Sequence, residues 1–132
     1  MPPSIPSART RTSPSRRRPN NRQRGKRGER EAVHAVRQHW ASRTAIRAAQ
    51  ANGKFSADVL HADRGDRLHV EVKLRRKLSV MAFVEQASRD ADPLRKIPVV
   101  LMREDHGEWL VMVRIADTKG FVDALHEQLR SA

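Results

Sequence analysis

The chain has 132 residues, room for one domain around one hydrophobic core, and a formal net charge of +12. It has no cysteine, which excludes disulfides and thiolate metal sites and fits a reducing compartment. No apolar run approaches the roughly 18 residues of a membrane span.

The charge is uneven. Residues 1–27 hold nine of the 27 lysines and arginines and no acid, so the remainder carries 18 basic and 15 acidic side chains. An acid-free basic tail points to a polyanionic partner, nucleic acid first and an acidic membrane surface second; the alternative is a tail that only aids solubility. The N-terminus lacks the apolar segment of a secretory signal. Five of the seven prolines fall there and oppose the amphipathic helix of a transit peptide. Residues 1–24, rich in Pro, Ser and Arg, bury too little apolar surface to order themselves, so a disordered basic tail is expected, followed by one domain over 25–132.

Along that domain, "GEREAVHAVRQHW" has helical spacing, with Val33, Val36 and Trp40 on one stripe. "SRTAIRAA" (42–49) predicts a short strand and "QANGK" a loop. "ADVLHADRGDRLHVEVK" (57–73) predicts two strands around a tight turn. "SVMAFVEQASRDA" predicts a helix with Ser79 as N-cap and Val80, Phe83, Val84 and Ala87 as its apolar face. "IPVVLMRE" predicts a buried strand with Pro98 near its start, "DHGE" a turn and "WLVMVRIA" the last strand. A final helix, capped by Asp117 or Thr118, carries Phe121, Leu125 and Leu129. Helices alternating with strands predict an α/β fold, a mixed sheet with helices packed on it.

The hairpin sets charges in unfavourable places. A two-residue turn at Arg64-Gly65 puts Val59 opposite Val70 and Asp58 opposite Glu71; a three-residue turn puts Val59 opposite Glu71 instead. Matching apolar to apolar favours the first register. It brings two carboxylates face to face, a destabilising arrangement, with Lys73 projecting from the same side and Val70 and Val72 from the other. A hard divalent cation would relieve the repulsion, magnesium above all. A solvated face with a Glu–Lys contact is the ordinary alternative. Glu29 extends the Val33/Val36/Trp40 stripe by one turn and so points toward the sheet, whereas Glu31 points away. The histidines do not suggest a metal site: His34 and His39 are five apart, and His61 and His69 fall on opposite faces of the hairpin.

Gly25, Glu29, Arg30 and Glu31 in "GKRGERE", Arg47 in "TAIR", Asp58, and Glu71-Val72-Lys73 occur in a telling order. In this order the chain resembles the PD-(D/E)xK nuclease superfamily, and within it the archaeal-type Holliday junction resolvases and the resolvase-like nucleases of phages. The resemblance covers residues 25–115. It departs at Ala57, where the superfamily has a proline. It implies a restriction-endonuclease-like fold, a mixed central sheet flanked by helices, and metal-assisted phosphodiester hydrolysis in the cytoplasm. Asp58, Glu71, the Val72 carbonyl and Glu29 would hold magnesium, with manganese able to substitute. Lys73 would act on the attacking water or on developing charge. Arg30 and Arg47 would contact phosphates, and Gln86 matches a glutamine found on the next helix in some relatives. Arg75, Arg76 and Lys77, in the basic "KLRRKLS", are candidates for gripping the DNA backbone.

The implied function is a homodimeric endonuclease for branched DNA. The alternatives are another nuclease of the superfamily, of nicking, repair or restriction type, and a non-catalytic nucleic-acid-binding protein. The clustered acids argue against the last.

Overall fold

The structure, a computed structural model, describes residues 21–48 and 57–130. The expected disorder of the tail falls largely on residues 1–20, and the expected "QANGK" loop on 50–54; both lie outside the described residues.

Among the described residues, three α-helices and five strands follow in the order α1 (Asn21–His39), β1 (Ile46–Arg47), β2 (Val59–Leu60), β3 (Leu68–Arg75), α2 (Val80–Ala91), β4 (Ile97–Glu104), β5 (Leu110–Val113) and α3 (Thr118–Arg130). They form one mixed sheet in the order β1-β2-β3-β4-β5. Every neighbouring pair is antiparallel except β3 and β4, which run parallel. A parallel pair needs a crossover, and α2 supplies it. A five-stranded mixed sheet flanked by three helices is the restriction-endonuclease-like α/β arrangement.

β3 is the spine. All its residues but Arg75 are buried, although every second side chain is polar. Val70 and Val72 pack with Ala32, Val33 and Val36 of α1, with Trp40 just past its end and with Ala124 of α3. On the opposite face, Phe83 and Ala87 of α2 pack against Val100 and Met102 of β4. The polar face of β3 lies under α2 and is covered: Glu71 is 3% and Lys73 8% exposed. That burial sets the strand apart from an ordinary strand with one wet face.

The hairpin register is Val59 opposite Val70, the one apolar matching favours. The connection is longer than a two-residue turn, because the strands stop at Leu60 and Leu68. Asp63 explains the difference. It is 5% exposed, and its carboxylate accepts the backbone N–H groups of Arg67 (2.9 Å) and Leu68 (3.2 Å). The side chain thus takes over backbone donors that a tighter ladder would have used.

Other expectations shift for local reasons. α1 starts at Asn21, four residues before the expected start of the domain, and Arg24 on it pairs with Asp105. The strand expected over 42–49 shrinks to Ile46–Arg47, because Ser42–Ala45 turn: Ala45 N–H bonds the Ser42 carbonyl, and the Ser42 hydroxyl bonds the Ala62 carbonyl. Ser79 precedes α2 but makes no side-chain cap, and Val80 is 37% exposed because the inward face runs Phe83, Ala87, Ala91. α3 is entered through a 3-10 turn at Ile115–Asp117, so neither Asp117 nor Thr118 caps it. Its inward stripe is Phe121, Ala124, Leu125 and Gln128, and Leu129 rotates out to 57% exposed. Trp40 is core as expected, edge-on to Phe121 at 5.6 Å.

Gly28 sets how closely α1 approaches β3. A Cβ there would stand 2.8 Å from Leu74 Cβ, whereas Gly25 has open space around it. Gly28→Ala is therefore expected to destabilise the fold by up to about 2 kcal/mol: overpacking costs about 1–3 and the gain in helix propensity returns about 1. A lowered midpoint in urea at unchanged slope is the check. Gly25→Ala should not lower it.

Candidate active site

Asp58 enters the site from the residue before β2. Its N–H donates to the Val70 carbonyl at 2.8 Å, and its Oδ2 accepts the Val72 N–H at 2.8 Å. These bonds hold it against the middle of β3, where the neighbouring Glu71 carboxylate is felt at its own carboxyl group. A strand residue directs its N–H and C=O toward the same neighbouring strand, so the Val72 carbonyl faces the Asp58 side as well.

The sequence places Glu29 on the inner stripe of α1, and the structure brings it to the site. Its charge is felt at Asp58, and its Oε1 lies 3.3 Å from Arg47 Nη1 on β1. Glu31 turns the other way and pairs with Arg103 on β4 at 2.8 Å. On the α2 side, Lys73 Nζ donates to Gln86 Oε1 at 2.6 Å and lies 5.7 Å from the Phe83 ring centre. The structure thus sets Glu29, Asp58, Glu71 and Arg47 near one another, and pairs Lys73 with Gln86 on the face of β3 that carries Glu71.

It does not gather all the expected residues. Arg30 lines a groove with Glu31, His34 and Trp109, toward the β5 edge and away from Asp58. Its step of one residue from Glu29 turns it about 100° around the helix. Arg75 is half-buried beside Phe83, with its guanidinium 5.8 Å from the ring centre. Arg76 and Lys77 are exposed just beyond β3.

Two residues absent from the sequence-based site stand beside Glu71. His69 Nε2 is 2.9 Å from Glu71 Oε1, and a carboxylate oxygen of Asp90 lies within 4.8 Å of a His69 ring nitrogen and of a Glu71 oxygen. The available signal was strand alternation, which puts His69, Glu71 and Lys73 on one face. Asp90 follows Gln86 by four residues, one helical turn along α2.

Burial and the nearby Glu71 carboxylate push Asp58 up from 3.8 to about 8, with Glu29 adding to the effect and the Val72 N–H opposing it. The sign of the stability effect follows. Between about pH 4 and pH 8 the folded protein holds a proton that the unfolded chain has released, so raising pH favours unfolding. In chelator, stability is expected to fall as pH rises through this window and to level off above it. Asp58→Asn should flatten the slope, read from urea midpoints at several pH values. A set of hard carboxylate oxygens crowded enough to retain a proton fits a divalent cation, which can replace that proton.

Among the described residues, no helix is long and apolar enough to cross a membrane. No curated protein and no solved structure matches the chain. Residues 20–131 match the family described as "Phage putative PDDEXK endonuclease". PD-(D/E)xK nucleases generally use divalent metals, in keeping with the oxygen donors gathered between β2, β3 and α1. The match spans every helix and strand of the sheet that carries them, and the chain belongs to this family of nucleases.

Proposed function

We propose that the protein is a magnesium-dependent, structure-specific endodeoxyribonuclease that hydrolyses phosphodiester bonds in branched DNA, four-way junctions foremost, as a homodimer. The observation that carries this reading is the docking of Asp58 on the Val72 N–H, next to Glu71, with the Glu29 charge also felt there and Lys73 two residues beyond Glu71. Binding phosphate alone calls for cations, so three gathered acids speak for hydrolysis over mere binding.

Asp58, Glu71 and the Val72 carbonyl are the groups to hold magnesium, or manganese in its place, with Glu29 completing the site. Held there, such an ion would supply a water of lowered pKa and neutralise charge on the phosphate. Lys73, held by Gln86, orients the attacking water or stabilises the negative charge that develops on the phosphate. Arg47 grips a phosphate next to the cut, and Arg75, Arg76 and Lys77 hold the backbone farther along.

Two features support the choice of substrate. The described residues form one sheet with its flanking helices, and recognition by them rests on backbone shape and charge. Symmetric cutting needs two sites, which a two-fold dimer provides. The β5 edge offers an apolar surface for it, with Leu110 48% and Val111 46% exposed. The reading puts the site of action in the host cytoplasm, where phage DNA is processed.

A second reading keeps the same site and changes the substrate: a nicking, repair or restriction-type nuclease. The family description favours it to the extent that it names an endonuclease and no junction. Cleavage of four-way junction, flap, duplex and single-stranded DNA in magnesium, together with light scattering, separates the two. Preference for the junction by a dimer supports the first; equal cutting of junction and duplex, or a monomer at micromolar concentration, supports the second.

A further inference from the structure

We infer that His69 is a positioning residue for Glu71, fixing the carboxylate in the orientation that receives a divalent cation; this rests on the metal-dependent reading above. His69 is 1% exposed, and its Nε2 is 2.9 Å from Glu71 Oε1. Glu71 is itself 3% exposed and lies beside Asp58, whose Oδ2 is held by the N–H of the next residue, Val72. A buried carboxylate held by a side-chain partner has few rotamers left. Its free lone pairs are thereby aimed without entropy to lose when an ion arrives.

The imidazole is better suited to holding Glu71 than to taking a metal. Its Nε2 is occupied by Glu71, and its surroundings are closed, whereas the Asp58 side of Glu71 borders Glu29 and Arg47. The supporting elements are rigid. β3 is hydrogen-bonded on both sides at this level, with His69 opposite Pro98 and Glu71 opposite Val100 on β4. Partners of this kind, one bond removed from a metal ligand, are typically worth 10–100-fold in metal affinity or activity.

The test compares His69→Met, which keeps volume and cannot donate, with His69→Gln, whose amide nitrogen can reach the same carboxylate. Mn2+ binding is measured by calorimetry, the Mg2+ requirement by cleavage, and folding by thermal melting. His69→Met is expected to need roughly 10–100-fold more metal in both assays, and His69→Gln to recover most of the loss. In wild-type protein labelled with 15N at histidine, the His69 Nε2 resonance is expected to shift during a Mg2+ titration and to stop shifting when binding saturates. This arm does not depend on any variant folding. Unchanged metal dependence in His69→Met, equal impairment of both variants, or a His69 resonance that does not respond while the wild type binds metal and cuts DNA, would overturn the role of His69 alone. A wild type that neither binds Mn2+ nor cuts DNA would overturn the nuclease reading and this role with it.

Discussion

Asp58→Asn is expected to lower the cleavage rate by at least roughly a thousandfold while leaving the protein folded. A metal ion's stabilisation of the charge on a reacting phosphate is worth several kcal/mol, and about 1.4 kcal/mol is a factor of ten in rate. The substitution keeps shape and keeps a side-chain oxygen for the Val72 N–H, the bond that docks residue 58 on β3. It removes a carboxyl group that burial and the neighbouring Glu71 push up to about 8. The metal-free variant should therefore be more stable than wild type near pH 8, by roughly 1–3 kcal/mol, the range for relieving a poorly matched buried group. DNA binding should be unchanged or tighter, since a negative charge beside phosphate is gone. Single-turnover cleavage, urea unfolding in chelator and a binding titration read the three parts. Near-full activity in Asp58→Asn would remove the catalytic assignment.

Lys73→Met is expected to cost about 10²–10³ in the rate at saturating DNA, with little change in affinity. Removing one donor that acts on developing charge typically costs that much. Methionine matches the aliphatic stem of the lysine and packs well beside Phe83, the ring under the Lys73 ammonium. The fold should hold, with a modest penalty for leaving Gln86 without its partner. A loss confined to affinity would mean that Lys73 binds ground-state phosphate and does not act in the chemical step. Gln86→Met, which frees the ammonium from its fixed position, should give a smaller loss of the same kind.

The parts of the site legible in the sequence were those set by short-range periodicity. Strand alternation put Glu71 and Lys73 on one face, matching of Val59 to Val70 gave the register, and the helical stripe from Trp40 back to Glu29 aimed that acid at the sheet. Tertiary choices were less legible. That the polar face of β3 lies buried under α2 depends on a crossover helix whose docking no local pattern encodes. His69 and Asp90 come together only through that docking, so the histidine read as one of several on a hairpin. The loop at 61–67 was lengthened by Asp63, an acid that spends its charge on backbone donors. Arg30 was carried along with Glu29 by resemblance, yet helix geometry turns it about 100° away, into a groove with Glu31, His34 and Trp109. Gly28, not Gly25, is the glycine that the packing of α1 on β3 requires.

The most direct test of the account is cleavage of a mixture of junction, flap, duplex and single-stranded DNA, titrated with Mg2+, by wild type and by Glu71→Gln. Using the mixture separates the chemistry from the choice of substrate. The account predicts that the wild type cuts at least one of these DNAs only when the cation is present, and that Glu71→Gln, folded and able to bind DNA, cuts none at any Mg2+ concentration. Cutting by the wild type in chelator, or by Glu71→Gln at the wild-type rate, would contradict it.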